Sequence, residues 1–323
     1  MDTMNAVNPM EPAAPGTAAA PGALSAKQIY SRLGWAYFVL MALCQGLALA
    51  ASVALALLWP AGVDAAGWLV WAVSYVPLYG VAAPVFGLMV TRMFPKTPAP
   101  AADTPMTAGL FAKLFVLLMG GTYILNYVSL GINYLISGQL VNTLGDVTQA
   151  AGYWPSVAVG CVIAPIGEEL LFRKALWRAV APLGEKAYAL VGGLVFALFH
   201  GNLSQLLYAF LAGMALCWLY VRTGRLGWCI ALHMAINTMG IAIGPLALAS
   251  DTAALVISAL VMALMAAALV LFVRGVRRVH WRPAGPGAPA HPLRRALATP
   301  GMAVYALLCL GLVIYASALP LLG

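Results

Sequence analysis

Long apolar stretches follow one another along almost the whole chain, and a chain built this way has few folds open to it. A helix needs roughly 20 mostly apolar residues to cross about 30 Å of hydrocarbon. Only helices and closed barrels satisfy their own backbone polar groups there. Nine stretches qualify as candidate spans: 33–59, 68–91, 110–136, 153–177, 186–201, 204–221, 226–248, 252–273 and 301–322. They predict an all-α, polytopic transmembrane helical bundle of eight or nine spans, with the short fifth and the separate ninth deciding between the two counts. The composition agrees: 63% of residues are hydrophobic and 8% charged, against about 25% charged in soluble domains. An ordinary cytosolic enzyme and a disordered chain are thereby excluded.

Residues 1–26, rich in Ala, Pro and Gly, are expected to form a disordered N-terminal tail, without the charged start and short apolar core of a signal peptide. Residues 27–273 read as the transmembrane domain, 274–300 as a basic cytoplasmic loop and 301–323 as an additional C-terminal span.

The charges give the topology. With the N-terminus inside and alternating spans, all 17 Lys and Arg residues fall on one side, while the opposite loops hold only Asp64, Asp146 and Asp251. Basic residues are retained on the cytoplasmic side, so a multi-pass protein of the cell membrane is expected. Its N-terminus is cytoplasmic, and its C-terminus is on the other side if the spans number nine. The pI near 9.4 therefore reflects topology; basic residues dispersed between apolar runs do not make a nucleic-acid-binding face. Cys44, Cys161, Cys217, Cys229 and Cys309 all fall inside apolar stretches with no CxxC pair, so they read as small buried hydrophobes.

Against this background the polar residues inside spans are informative, because an ionisable group there costs roughly 2.5–3.5 kcal/mol on insertion scales. Span four carries Glu168, Glu169 and Arg173, span five ends in Phe196-Ala-Leu-Phe-His200, and span seven holds His233 and Asn237; Asn126 and Asn133 in span three are milder cases. Glu169 and Arg173, four apart, share a helix face and can pair. Glu168 is rotated by about 100° from Glu169 and is the carboxylate left free for chemistry. Pro165, one turn earlier, removes a backbone donor and distorts the helix. Counting about 1.5 Å per residue, Glu169 lies about 13 Å beyond Arg178 and His233 about 12 Å beyond Arg225, which places a cavity in the cytoplasmic half. His200 lies about 21 Å beyond Lys186, deeper than the others. Gly240 with Gly244, and Ala209 with Gly213, have the spacing of close helix packing.

A Glu, two His and an Asn in a partly wet cavity suit hydrolysis. A carboxylate can take a proton from water while a histidine orients that water, and a second histidine with an amide can hold a developing oxyanion. Equally, Glu168, His200 and His233 are candidate ligands for zinc, which would acidify a bound water. The residue types allow zinc or no metal.

At these positions the chain resembles the CPBP family of intramembrane proteases, which includes CAAX prenyl endopeptidases and Abi-type bacteriocin-immunity proteins. The family pattern EExxxR, FxxxH, HxxxN is matched by Glu168-Glu169-Leu-Leu-Phe-Arg173, Phe196-Ala-Leu-Phe-His200 and His233-Met-Ala-Ile-Asn237, over a catalytic core of about 150–240. The resemblance implies peptide-bond hydrolysis at the membrane. Glu168 would activate water beside His200, His233 and Asn237 would stabilise the oxyanion, and Glu169, Arg173 and Phe196 would support the site. Lys174 stands where relatives often carry a small residue, a departure that bears on the cavity entrance. The implied partners are membrane lipid and a peptide or protein substrate, of CAAX or bacteriocin-related type, with no nucleic acid.

Two other readings are open at this stage. Intramembrane Glu and His also mark proton relays, although a proton-coupled transporter predicts paired broken helices and no second Glu-rich segment is present. A catalytically silent immunity or scaffold protein on a protease fold is the other. HExxH, GxSG, GxGD and P-loop signatures are absent.

Overall fold

A computed structural model describes residues 23–59, 67–275, 277, 279–284 and 287–318. Residues 1–22 of the expected tail, 276, 278, 285 and 286 of the expected basic loop, and 319–323 at the end of the expected last span lie outside the described residues.

Eleven helices, labelled here in chain order, make up the described chain. They are α1 (Ala26–Leu58), α2 (Leu69–Met93), α3 (Ala108–Ser137), the short α4 (Thr143–Ala151), α5 (153–180), α6 (Gly184–Phe199), α7 (Leu203–Thr223), α8 (Leu226–Ala249), α9 (Asp251–Gly275), the short α10 (Pro292–Leu297) and α11 (Pro300–Ala318). Polar caps set several starts. Ser25 and Gln28 form a reciprocal capping box at α1, and Thr107, Asn142 and Asn202 accept the first free N–H groups of α3, α4 and α7.

Among the described residues, eight helical stretches are long and apolar enough to cross a membrane, the longest being Tyr153–Phe199 with 47 residues. That stretch is not one rod. Gly184 adopts φ 84°, a left-handed conformation open to glycine at little cost, and the chain reverses there. The Tyr188 hydroxyl donates to the Arg173 carbonyl at 2.9 Å, although residues 15 apart on a straight helix would be about 22 Å apart. The expected fourth and fifth spans are thus present as an antiparallel hairpin, α5 and α6.

The bundle core is aromatic where four helices meet. Tyr37 of α1 packs on Phe86 of α2, Phe172 of α5 and Tyr305 of α11, with ring centroids 4.8, 5.4 and 5.6 Å away. Their hydroxyls are used: Tyr37 donates to the Leu171 carbonyl at 3.1 Å and Tyr305 to the Val195 carbonyl at 2.8 Å. The last helix crosses α1 at Gly34 and Gly301, where a β-carbon on either would overlap the facing backbone. Gly213 of α7 similarly lies against Gly193 and Phe196 of α6. Gly240 does not follow that pattern; a β-carbon there meets nothing within 4 Å, because the residue lines a cavity instead of a neighbouring helix.

All five cysteines are free and buried. The basic segments gather on one face, as the charge count requires. Arg32 and Arg178 both reach carbonyls at the end of α2, at Met93 and at Thr91 and Phe94 respectively. Arg222 at the end of α7 grips Glu185 of α6 through two bonds of 2.7 and 3.0 Å and reaches Asp103 at 3.2 Å. Arg282 adds a 2.7 Å contact to Asp103, and its backbone N–H donates to Glu185.

The clasp has one buried and one exposed carboxylate: the Glu185 side chain is 1% exposed and that of Asp103 43%. Glu185→Ala leaves Arg222 without its buried partner and is expected to cost on the order of 3 kcal/mol in thermal unfolding in detergent. Asp103→Asn is expected to cost less than about 1 kcal/mol. Hydrogen bonds from Thr104 and Arg282 hold the Asp103 carboxyl below its ordinary range. Its contribution is therefore present at neutral pH and fades as acid takes the pH down from about 4, and an unfolding series in acid should lose that component in Asp103→Asn.

Candidate active site

Helix α5 carries the two glutamates and is not uniformly α-helical. A six-residue α segment, Ala164–Glu169, stands between two π turns, Val159–Ile163 and Leu170–Ala175. Pro165 cannot donate to the Cys161 carbonyl, so the first distortion lies where the sequence put it. The second, around Arg173, carried no proline signal. Widened turns leave carbonyls without helical partners, and side chains from other helices supply them. Asn237 Nδ2 donates to Gly160 O at 2.8 Å, and the Tyr79 hydroxyl to Ala164 O at 3.3 Å. Tyr37 and Tyr188 take Leu171 O and Arg173 O. The tyrosines were not among the expected site residues; their only sequence signal is a hydroxyl inside an apolar span.

Glu169 and Arg173 form the expected pair, with Nε and Oε2 2.9 Å apart and neither side chain exposed. Neither atom has an aligned hydrogen bond, so this is a contact of charges, supplemented by an Arg173 Nη1 bond to Phe172 O at 3.3 Å. The guanidinium also lies 4.6 Å from the centre of the Phe196 ring, a cation–π arrangement. Glu169 is not only a structural counter-ion, because its Oε1 lies 2.9 Å from His233 Nδ1. A carboxylate oxygen accepts, so Nδ1 carries the hydrogen. His233 Nε2 then faces Glu168 Oε2 at 3.8 Å. The two glutamates address opposite nitrogens of one imidazole, and their rotation about the helix axis makes this possible.

His200 ends α6, and its Nδ1 lies 2.8 Å from the Phe196 carbonyl, which can only accept; Nε2 is left for the cavity. The Phe196 ring meets His200 edge-on at 4.8 Å and His233 at 5.8 Å, so one phenylalanine fixes the arginine and both histidines. Asn237 spends one amide hydrogen on Gly160 O and keeps the other.

Glu168, His200, His233 and Asn237 all line one cavity of about 280 Å³. His200, although deeper by chain count, lines the same cavity as Glu168 and His233. The cavity lining runs from the glutamate to Trp71 near the start of α2 and Thr143 at the start of α4. A second cavity of about 650 Å³ shares Asn237, Tyr208 and Thr122 with the first. Together their lining extends from Glu168 toward the helix ends that carry Trp71, Asn142 and Tyr153, away from the basic residues. Asn126, also lining the larger cavity, donates to Ser204 O at 3.1 Å, and Asn133 donates to Val141 O. Lys174 is exposed and lines neither cavity.

Zinc needs three protein ligands within about 2.0–2.2 Å of one point. Among the described residues no three His, Cys, Asp or Glu side chains gather closely enough to hold a metal ion. The donors of the cavity, as placed, do not fit that ion.

Residues 150–239 match the family described as Type II CAAX prenyl endopeptidase Rce1-like, and that segment contains Glu168, Glu169, Arg173, Phe196, His200, His233 and Asn237. The resemblance to the CPBP family holds over this segment. The chain is also 30% identical over 132 residues to a Bacillus subtilis protein named "Putative membrane peptidase YdiL", an alignment covering 41% of this chain and 52% of that protein. The chain thus spans about half the length of the curated relative it matches. No solved structure matches it.

Arg173 is fully buried and anchored by Glu169. Removing one partner of such a pair costs about 3–5 kcal/mol, so Arg173→Met should lower the unfolding temperature in detergent sharply. The double variant Arg173→Met, Glu169→Gln should lose less than the two single losses combined, as a double-mutant cycle would measure.

Proposed function

We propose that this protein is an intramembrane endopeptidase that hydrolyses peptide bonds of membrane-associated substrates with a water activated by Glu168. The observation that carries this reading is the chain of contacts Arg173–Glu169–His233–Glu168, ending in a cavity that His200 and Asn237 also line. The family matched over residues 150–239 supports a membrane peptidase.

Each residue has a task that its contacts allow. Glu168 accepts a proton from water as the water oxygen attacks the substrate carbonyl carbon. His200, with its hydrogen committed to Phe196, offers a lone pair at Nε2 to the second hydrogen of that water and so orients it. The carbonyl oxygen gains negative charge, and two donors are placed for it: the free N–H of Asn237, and His233 Nε2 when it carries a proton, with Glu169 holding the ring. The carbon–nitrogen bond breaks as the proton held by Glu168 passes to the leaving nitrogen, and the carboxylate is restored. Glu169, Arg173 and Phe196 position these groups without touching the substrate. In the cell this reading places the protein in the cell membrane with a cytoplasmic N-terminus.

Cleavage of a membrane-associated peptide by purified protein in detergent tests the proposal. Glu168→Gln is expected to lower kcat by at least about 10²-fold, and Asn237→Ala by about 10²-fold with KM little changed. Equal rates in wild type and Glu168→Gln would remove Glu168 from the reaction. A chelator is expected to leave the wild-type rate within about twofold, since the donors do not gather around an ion. Loss of activity restored by Zn²⁺ would overturn that expectation. Substrate-dependent proton flux in liposomes without cleavage would instead favour a transporter.

A further inference from the structure

The two cavities have a direction that the motifs do not contain. On the basic side of Glu168 and His233 the bundle is packed solid: Phe172, Leu176, Tyr188, Val191, Cys217 and Leu219 have no exposed surface. On the other side the inner cavity is walled by Trp71 and by Thr143, Leu144 and Val147 of α4. The outer one reaches Asn142, Tyr153 and Gly244, where α3, α5 and α8 have their ends farthest from the basic loops. Hydrogen bonds hold this end in place: Trp71 Nε1 donates to Ser156 Oγ at 3.1 Å, and Ser156 Oγ to Thr148 O at 3.2 Å. A helix of nine residues, α4, thus roofs the passage.

The lining also has a chemical character. Thr122, Asn126, Gln149 and Tyr208 line the outer cavity, and the Thr122 hydroxyl is buried with no hydrogen-bond partner among the described residues. Such groups suit the N–H and C=O groups of an extended peptide. Neither cavity is lined by Lys or Arg, whereas Asp146 stands in the outer one and Glu168 in the inner. Volumes of about 650 and 280 Å³ fall near the range of about 300–1,000 Å³ that ligand sites occupy.

We propose that the substrate is an extended, neutral or basic peptide segment that reaches Glu168 beneath α4 from the membrane face opposite the basic loops, not from the basic face. With basic loops retained in the cytoplasm, that is the extracytoplasmic face. The proposal rests on the peptidase reading for its substrate, but the direction of opening can be measured without it.

Thr122→Cys in a Cys44→Ala background, reconstituted in vesicles, is treated with a membrane-impermeant thiol reagent added to one face. Lys186→Cys, exposed on the basic face, reports orientation. Labelling of Thr122→Cys from the face opposite Lys186→Cys is expected. Labelling only from the same face as Lys186→Cys, or from neither, would overturn the proposed opening. In the same vesicles, wild-type protein should cleave a lysine-flanked reporter peptide presented on the non-basic face. A glutamate-flanked version should be cut at least about tenfold more slowly, since like charges disfavour its entry. Cleavage confined to the basic face, or no discrimination against the glutamate version, would overturn the substrate assignment. If detergent-solubilised wild type cuts neither peptide, the peptidase reading falls, while the thiol result still decides the opening.

Discussion

A guanidinium with no exposed surface inside an apolar bundle has to be met by a carboxylate, and the way Arg173 meets Glu169 organises the rest of the site. An uncompensated charge there would cost several kcal/mol, so the two side chains are locked together one helical turn apart. The lock leaves Glu169 with a second oxygen, and that oxygen fixes one nitrogen of His233. The other nitrogen of the same ring is thereby turned toward Glu168. The arginine thus positions the reactive end of the site through two intermediates, and Phe196 closes the circuit by lying against the guanidinium and both histidines.

The backbone of α5 serves the same end. Its two π turns bracket the glutamates, and each leaves carbonyls that a lipid-facing helix could not satisfy. Asn237, Tyr79, Tyr37 and Tyr188 satisfy them from four other helices. Packing and the proposed chemistry are coupled through these bonds: Asn237, proposed to face the oxyanion, also holds Gly160. A distorted helix in a membrane is tolerated because its neighbours supply the missing partners, and here two of those neighbours, α6 and α8, carry the other motifs.

The arrangement separates two regions of the molecule with different charge. The basic face is tied by Arg32, Arg178, Arg222 and Arg282 to carbonyls and to two carboxylates. Side chains with no exposed surface lie beneath it, and the cavity lining runs from Glu168 the other way. A site built from the inner parts of α5 and α8 and the end of α6 can open toward either face. The packed aromatic and aliphatic side chains, not the positions of the motifs, select one of them.

Sequence by itself determined the all-helical membrane bundle, the gathering of basic loops on one side, and the identities of Glu168, Glu169, Arg173, Phe196, His200, His233 and Asn237 as residues too polar for their surroundings. These follow from local rules: hydrocarbon demands long apolar helices, and every buried charge stands out against them. It also located one helix distortion, because proline lacks an N–H. Only the tertiary structure decided that Glu169 reaches His233, that His200 shares the cavity despite its depth, that Gly240 faces open space, and that the cavity lining extends away from the basic residues. Each of these depends on distances between helices far apart in the chain. Periodicity and spacing along one helix fix which residues share a face, but not what that face meets.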